Sequence, residues 1–539
     1  MCRNSKRENR EIQSVSGRSR WRQSSGLLDR SENAAGDDAE MNADGKSDGF
    51  VVPAKPANKD ATEASAESAE ERDPAKRNAQ EAVLSRTQSR KVDRSRGLPS
   101  VREAARKDSQ LKFTTLLHHI DQEALLEAFH ELKKTAAVGV DGVTWRDYER
   151  NVEANLVGLH ARLHRGACRA KPSRRAWIPK SDGRQRPLGI ASLEDKIVQQ
   201  AVAKVLSCVY EEDFIGFSYG FRRGRSQHDA LDALSVAVTT KRVNWILDAD
   251  IEGFFDMMDH DWLIKFLEHR IGDRRILRLI GKWLRAGVSE DGEWSQTSVG
   301  APQGAVISPL LSNVYLHYVL DLWIEWWREQ RGHGDVIVVR YADDFVIGFE
   351  HRNEAQACLA ELHERLAKFG LKLHGDKTRL IEFGREAIDR RKGRGEGRPE
   401  TFDFLGFTHQ CAKTRKGGRF IIHRHTMAKR MRATLHAIKE KLRQRMHRPL
   451  GENGRWLGRV VRGWLNYHAV PSNTKQLGRF VDEVTRHWLQ VIRRRSERGR
   501  GQWTWERMHR LVRRHLPRPR IIHPYPEQRF RARLKAGAV

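Results

Sequence analysis

From Leu111 onward, apolar residues recur at steps of three and four: Leu116, Leu117, Ile120, Leu125, Leu126, Phe129 and Leu132. That spacing lays one apolar face along a helix. Gly139, Asp141 and Gly142 interrupt it, and a second helical stretch runs from Trp145 to about Leu163. Ala176-Trp177-Ile178-Pro179 then reads as extended and Ser181-Asp182-Gly183-Arg184 as a turn. A hairpin is expected there, with Lys180, Arg184 and Arg186 near its tip. Two short apolar runs read as buried strands. One is Trp245-Ile246-Leu247, ending at Asp248-Ala249-Asp250; the other is Val336 to Arg340, with Phe345 to Phe349 beyond Tyr341-Ala342-Asp343-Asp344. Residues 385–400 form a Gly/Arg/Glu-rich connector. After Phe402-Asp403-Phe404-Leu405-Gly406-Phe407 the pattern turns helical and basic, around Met427–Leu442, Arg455–His468 and Gln476–Arg495.

Before Ser109 no helical or strand period is sustained, and Ser, Ala and charged residues dominate. Such a stretch cannot bury enough apolar surface to offset its ordering entropy, so residues 1–109 are expected to be a disordered leader. Of the 539 residues, 99 are Lys or Arg and 70 Asp or Glu, a net charge of +29. Residues 1–110 hold 22 basic and 19 acidic side chains, so nearly all the excess lies on the folded remainder. A shaped, strongly basic surface points to a polyanion. No run approaches the roughly 18 consecutive apolar residues of a membrane helix. The polar first residues offer no secretory h-region, so a cytosolic protein is expected. The five cysteines are scattered without a C-x-x-C pair, leaving neither a disulfide framework nor a thiolate zinc site. No fixed-period repeat is visible.

The candidate chemistry lies at the strand ends. Asp343 and Asp344 stand side by side between β-prone flanks, at the tip of an expected hairpin, and Asp250 supplies a third strand-end carboxylate. Holding like charges together is costly unless cations join them, and hard divalent ions are the natural partners of carboxylate oxygens. Two ions roughly 3.5–4 Å apart, activating a hydroxyl and clamping a leaving pyrophosphate, need carboxylates from separate strands. Asp256 and Asp259 read instead as surface or helix-capping residues.

Several blocks stand in one order along the chain. They are Gly139-Val140-Asp141-Gly142-Val143-Thr144, Ile178-Pro179-Lys180 through Arg186-Pro187-Leu188-Gly189-Ile190, and Gly220-Phe221-Arg222 through Ser226. The Asp250 segment, Gly300-Ala301-Pro302-Gln303-Gly304 with Val306 to Asn313, Tyr341-Ala342-Asp343-Asp344, Gly370-Leu371-Lys372-Leu373 with Lys377-Thr378, and Phe402 to Gly406 follow. Together they closely resemble reverse transcriptases, and more narrowly the bacterial group II intron reverse transcriptase/maturases, from roughly Leu111 to the C-terminus. The resemblance implies an α+β right-hand polymerase, with fingers and palm built on antiparallel sheet, followed by a helical thumb/maturase domain. The corresponding boundaries are 110–384 for fingers and palm, 385–419 for the connector and primer-grip end of the palm, 420–516 for the thumb/maturase helices and 517–539 for a basic tail.

By the same resemblance Asp250, Asp343 and Asp344 are the catalytic, metal-binding set for two Mg²⁺. Lys180, Arg186, Phe255, Gln303, Gly304 and Lys377 would meet the nucleotide, Phe255 as the wall excluding a ribose 2′-hydroxyl. Leu405 and Gly406 would grip the primer. Trp464 and Tyr467 read as core, and Arg455, Arg459, Arg462 and Lys475 as intron RNA contacts. The implied partners are intron RNA, an RNA template with DNA primer, dNTPs and a DNA target, with nucleoid association while acting on DNA. A homodimer stays open. No Cys follows Cys411, so the H-N-H endonuclease that many of these proteins carry is not expected. Two other readings remain: a CRISPR-linked or otherwise domesticated prokaryotic reverse transcriptase, and a non-catalytic RNA-binding splicing factor.

Overall fold

A computed structural model describes residues 97–179, 185–290, 293–295, 299–300, 303–495 and 501–535. The expected leader up to residue 96, the turn at 181–184, Ala301-Pro302 and residues 536–539 lie outside the described residues. Folded structure begins earlier than Leu111. A helix over 97–107 lies within the stretch that composition assigns to the leader, burying Val101 and Ala105 in the main core. Arg102 and Arg106 tie it to Glu212, far along the chain.

The central sheet contains β3 (Trp245–Asp250), β6 (Val336–Tyr341), β7 (Asp344–Phe349) and β8 (Arg379–Glu382), in the order β6-β7-β3-β8. Its pairings are antiparallel. Val336, Ile337, Val338 and Val339 are all essentially inaccessible, so both faces of β6 are covered. That explains an apolar run in place of alternation, each such side chain contributing about 1.5–3 kcal/mol on burial. One face packs on the helix Gln227–Thr240, which a Ser226/Asp229 capping box starts. Such a cap is worth about 1 kcal/mol. The other face joins the large core around the helices Leu193–Asp213, Ser308–Leu316 and Arg352–Ala367.

A second sheet, in the order β2-β1-β4-β5, comprises β1 (Ser173–Pro179), β2 (Gln185–Ile190), β4 (Val288–Glu290) and β5 (Glu293–Ser295). In the third, β10 (Phe407–Lys413) lies between β9 (Phe402–Phe404) and β11 (Phe420–Thr426). Residues 420–426 are therefore strand and pair along the whole of β10, so the C-terminal helices begin only after them. These are Ala428–Gln444, Leu450–His468, Thr474–Arg493 and Trp505–His515, around their own core of Leu457, Val461, Leu477, Phe480, Val484 and Trp488.

The stretch after Pro517 is not simply a tail. Its helix Pro526–Lys535 packs on Gln227–Thr240, with Phe530 buried and Arg529 paired to Asp232. Asp232 also accepts from Arg424 of β11, so one buried carboxylate joins three distant segments. No helix among the described residues is long and apolar enough to cross a membrane.

Candidate active site

β6 and β7 form a hairpin with the two-residue tip Ala342-Asp343, Tyr341 facing Asp344. On the other edge of β7, Asp344 lies directly opposite Asp250 of β3. Opposed like charges on adjacent strands repel, and the carboxyls respond accordingly. Asp344 keeps some solvent contact, yet burial of its carboxyl, reinforced by Asp248, Asp250 and Asp343, pushes its pKa up to about 8. Burial also raises Asp343; Asp250 adds to the rise while Arg186 and Lys377 oppose it. Asp248, two residues before Asp250 and so on the same face of β3, is raised to about 6 by burial, against the pull of Arg379. The strand pattern alone assigns Asp248 no role; its i, i+2 relation to Asp250 is the signal that places it beside the acids. Among the described residues no three His, Cys, Asp or Glu side chains are grouped closely enough to hold a metal ion by themselves. The carboxylates share one wall; burial first, and then neighbouring carboxylates, raise Asp248, Asp343 and Asp344, and a divalent cation there would favour their charged forms.

The tip is strained and braced. Ala342 adopts φ 59°, a left-handed conformation that costs a non-glycine residue about 1–2 kcal/mol. Arg340, fully buried, holds it. One guanidinium nitrogen donates to the Ala342 carbonyl at 3.0 Å and to Asn313 Oδ1 at 3.1 Å, another to Ser218 Oγ at 2.7 Å. Nε and Nη2 meet both carboxylate oxygens of Asp321, itself buried, at 2.6 and 2.5 Å.

Cations approach from two sides. Lys377 donates to Asp250, positioned by a loop that hydrogen-bonds along the end of β3: His374 N to Asp250 O at 2.8 Å and Glu252 N to Lys372 O at 2.9 Å. Arg186 is exposed on β2, within electrostatic reach of Asp343. Lys180 lies outside the described residues. The β1–β2 hairpin is moored to the Gln303 turn by Gly189 N donating to Gln303 O at 2.7 Å. Gly304 has φ 107°, and a Cβ there would stand 3.0 Å from the Gly189 carbonyl.

Phe255 does not continue an extended strand. Gly253, at φ 54°, turns the chain into the short helix Phe254–Met257. Neighbouring rings on a helix still diverge, and Phe254 enters the core while Phe255 stays half-buried. Gly300 packs beneath Phe255 and Asp256, where a Cβ would meet both carbonyls at about 3 Å. Asp259 caps the next helix through Trp262 N, and Asp256 is exposed.

Leu405 and Gly406 form the tip between β9 and β10, with φ 47° and 85°, the hairpin geometry that needs positive φ at both central residues. Tyr467, read as core, packs half-buried against the core with its ring stacked on Phe407, and its hydroxyl also donates to the Leu405 carbonyl at 2.6 Å. Trp464 is core, stacked on Phe480. Arg430, which sequence reasoning missed, stands over Gly406 and acts electrostatically on Asp344.

Farther out, Arg455, Arg459 and Arg462 line a cavity of about 410 Å³ with Gly458, Arg514 and His515. Gly454 and Gly458 make room for His515, whose ring or backbone any Cβ would strike at about 2.5 Å. None of the four arginines pairs with a carboxylate among the described residues. Lys475 lies elsewhere, near His425 at the start of Thr474–Arg493.

Residues 178–409, which include the β6–β7 tip, Gln303 and Leu405-Gly406, match the model of the reverse transcriptase (RNA-dependent DNA polymerase) family. Protein YkfC of Escherichia coli is 35% identical over 337 residues, covering 54% of this chain and 87% of that protein. Group II intron-encoded protein LtrA of Lactococcus lactis is 40% identical over 207 residues, 38% of this chain and 34% of LtrA. Nuclear intron maturase 3 of Arabidopsis thaliana is 29% identical over 129 residues, 24% of this chain and 18% of that protein. The chain thus spans most of the first relative and about a third or less of the other two. Intron-encoded proteins share its sequence, and the matched segment carries the opposed aspartates: the chain belongs to the group II intron reverse transcriptase/maturase family.

Proposed function

We propose that the protein is an RNA-directed DNA polymerase that binds its intron RNA, assists its splicing and copies it into cDNA for mobility. The observation supporting this most strongly is the register of the central sheet, with Asp250 opposite Asp344 and Asp343 beside them at the tip. In this reading the central sheet is the palm, the β1–β2 hairpin the fingers and the C-terminal helices the thumb/maturase domain. Asp250, Asp343 and Asp344 would hold two Mg²⁺, which when bound lower the pKa of a primer 3′-hydroxyl and neutralise charge on the phosphates. Arg186, with Lys180, would offset the incoming triphosphate. Lys377 would exchange its contact with Asp250 for phosphate or a proton transfer to pyrophosphate. Gln303 and Gly304 would bear on the nascent pair, Phe255 would fill the volume of a 2′-hydroxyl, and Leu405-Gly406 would hold the primer.

Around the arginine cavity, mutual repulsion of Arg455, Arg459, Arg462 and Arg514 favours a phosphate-bearing ligand, and RNA supplies one at every nucleotide. Lys475 would be a separate, weaker contact. The test is primer extension on an RNA template with dNTPs and Mg²⁺. cDNA is expected; tight RNA binding without extension would favour the splicing-factor reading.

A further inference from the structure

Phe221 is a large apolar side chain left 52% exposed, on a backbone at φ 59°. A bulky residue in that conformation is a genuine outlier, and such strain persists only where the surroundings impose it. Here they do so from both sides. Before it, Tyr219 N donates to Arg340 O at 2.8 Å, and Gly220 O accepts from Asn313 Nδ2 at 2.7 Å. Gly220 lies so close under the β6–β7 tip that a Cβ would stand 2.3 Å from Ala342 N. After it, the buried Arg222 donates to Glu211 and to the carbonyls of Ile215 and Ser218. Arg225 clips the carbonyls of Gly216 and Ser218. Two guanidinium groups therefore satisfy the loop's own backbone and make it a rigid pedestal. The ring it carries stands 6.5 Å from that of Tyr341, next to the tip bearing Asp343.

Resting on the polymerase reading above, we propose that Phe221 is a stacking platform for a nucleoside of the template–primer duplex beside the reacting 3′ end. The chemistry suits that ligand: an aromatic face takes a base or sugar without regard to sequence, and Arg186, Lys377 and Arg430 gather around the same acids to meet phosphates. Strain and exposure thus have a return that the free protein alone does not supply.

The test is equilibrium binding of an RNA template/DNA primer duplex, read by fluorescence anisotropy without dNTPs, with thermal melting of each variant. Phe221→Gly removes the ring and also relieves the left-handed backbone. It is expected to melt at or above the wild-type temperature while its Kd rises roughly 5- to 150-fold, the range for losing one base–aromatic stack. Phe221→Asn, which also tolerates this conformation, should bind as poorly. Phe221→Trp should stay within about threefold of wild type. Binding by Phe221→Gly within about twofold of wild type, or binding by Phe221→Trp as weak as that of the glycine variant, would overturn the platform. Because the assay needs no turnover, a wild-type protein that fails to extend primers would count against the polymerase reading alone. Normal extension with normal binding by Phe221→Gly would count against the platform alone.

Discussion

Arg340→Met tests how the catalytic tip is held. Arg340 and Asp321 are each 0% exposed and joined through two hydrogen bonds. The substitution leaves a fully buried carboxylate without the guanidinium that hydrogen-bonds both its oxygens. Breaking a buried pair from one side costs about 3–5 kcal/mol, or roughly 10²- to 4 × 10³-fold in the folding equilibrium at about 1.4 kcal/mol per decade. Removing both charges is different. Arg340→Met/Asp321→Leu should recover most of that loss, because apolar replacement of a buried pair is often near neutral. The cost that remains is the partners Arg340 leaves behind: Ser218 Oγ, Asn313 Oδ1 and the Ala342 carbonyl. The Ala342 bond bears on function, since it pins the strained residue preceding Asp343. Loss of a hydrogen bond to a charged group is worth about 1.5–3 kcal/mol, so the double variant should refold well yet extend primers with kcat down about tenfold or more. Urea unfolding followed by circular dichroism, with single-turnover extension, separates the two effects. A loss below about 1 kcal/mol for Arg340→Met would refute the buried-clamp account. Wild-type kcat in the double variant would refute the link to the tip.

Three other outcomes follow. The Asp344 carboxyl titrates near 8 in the fold against about 3.9 unfolded. Its neutral form therefore favours folding at low pH, and that contribution is lost as pH rises through about 8. Without divalent ions, Asp344→Asn should raise the urea midpoint at pH 9 and the gain should vanish near pH 4, whereas a constant gain would contradict the shift. Phe255→Ala should relax selection of dNTP over rNTP in primer extension by tenfold or more (about 1.4 kcal/mol); unchanged selectivity would remove Phe255 from the sugar wall. Arg459→Glu should weaken RNA binding and lower the slope of log K against log salt by about one phosphate contact, and an unchanged slope would mean that the cavity does not face RNA.

What was legible in the sequence was whatever is local. The apolar runs Val336–Val339 and Phe345–Phe349 have no other use than a strand covered on both faces, so the acids beside them had to fall at strand ends and tip. Three- and four-residue spacing likewise marked the C-terminal helices. What escaped depends on partners distant along the chain. Helix 97–107 carries too few apolar residues to stand out, and its docking is completed by Glu212. Arg340 in a strand looks like an ordinary surface cation until Asp321 is seen to meet it from a helix. The same holds for Asp232, between Arg424 and Arg529. Arg514 joins Arg455, Arg459 and Arg462 only because Gly454 and Gly458 let two helices close. Gly253, which tolerates left-handed backbone, is the local mark of the turn that carries the chain from the end of β3 into the short helix bearing Phe255.

The most direct measurement is extension of a DNA primer on an RNA template by wild type and by Asp343→Ala/Asp344→Ala, with RNA affinity and melting temperature determined on the same preparations. The account predicts Mg²⁺-dependent cDNA from wild type, and a double variant that stays folded, binds RNA as tightly and makes none. A folded double variant that extends as well as wild type would contradict it, because the opposed aspartates would then not be the site of chemistry.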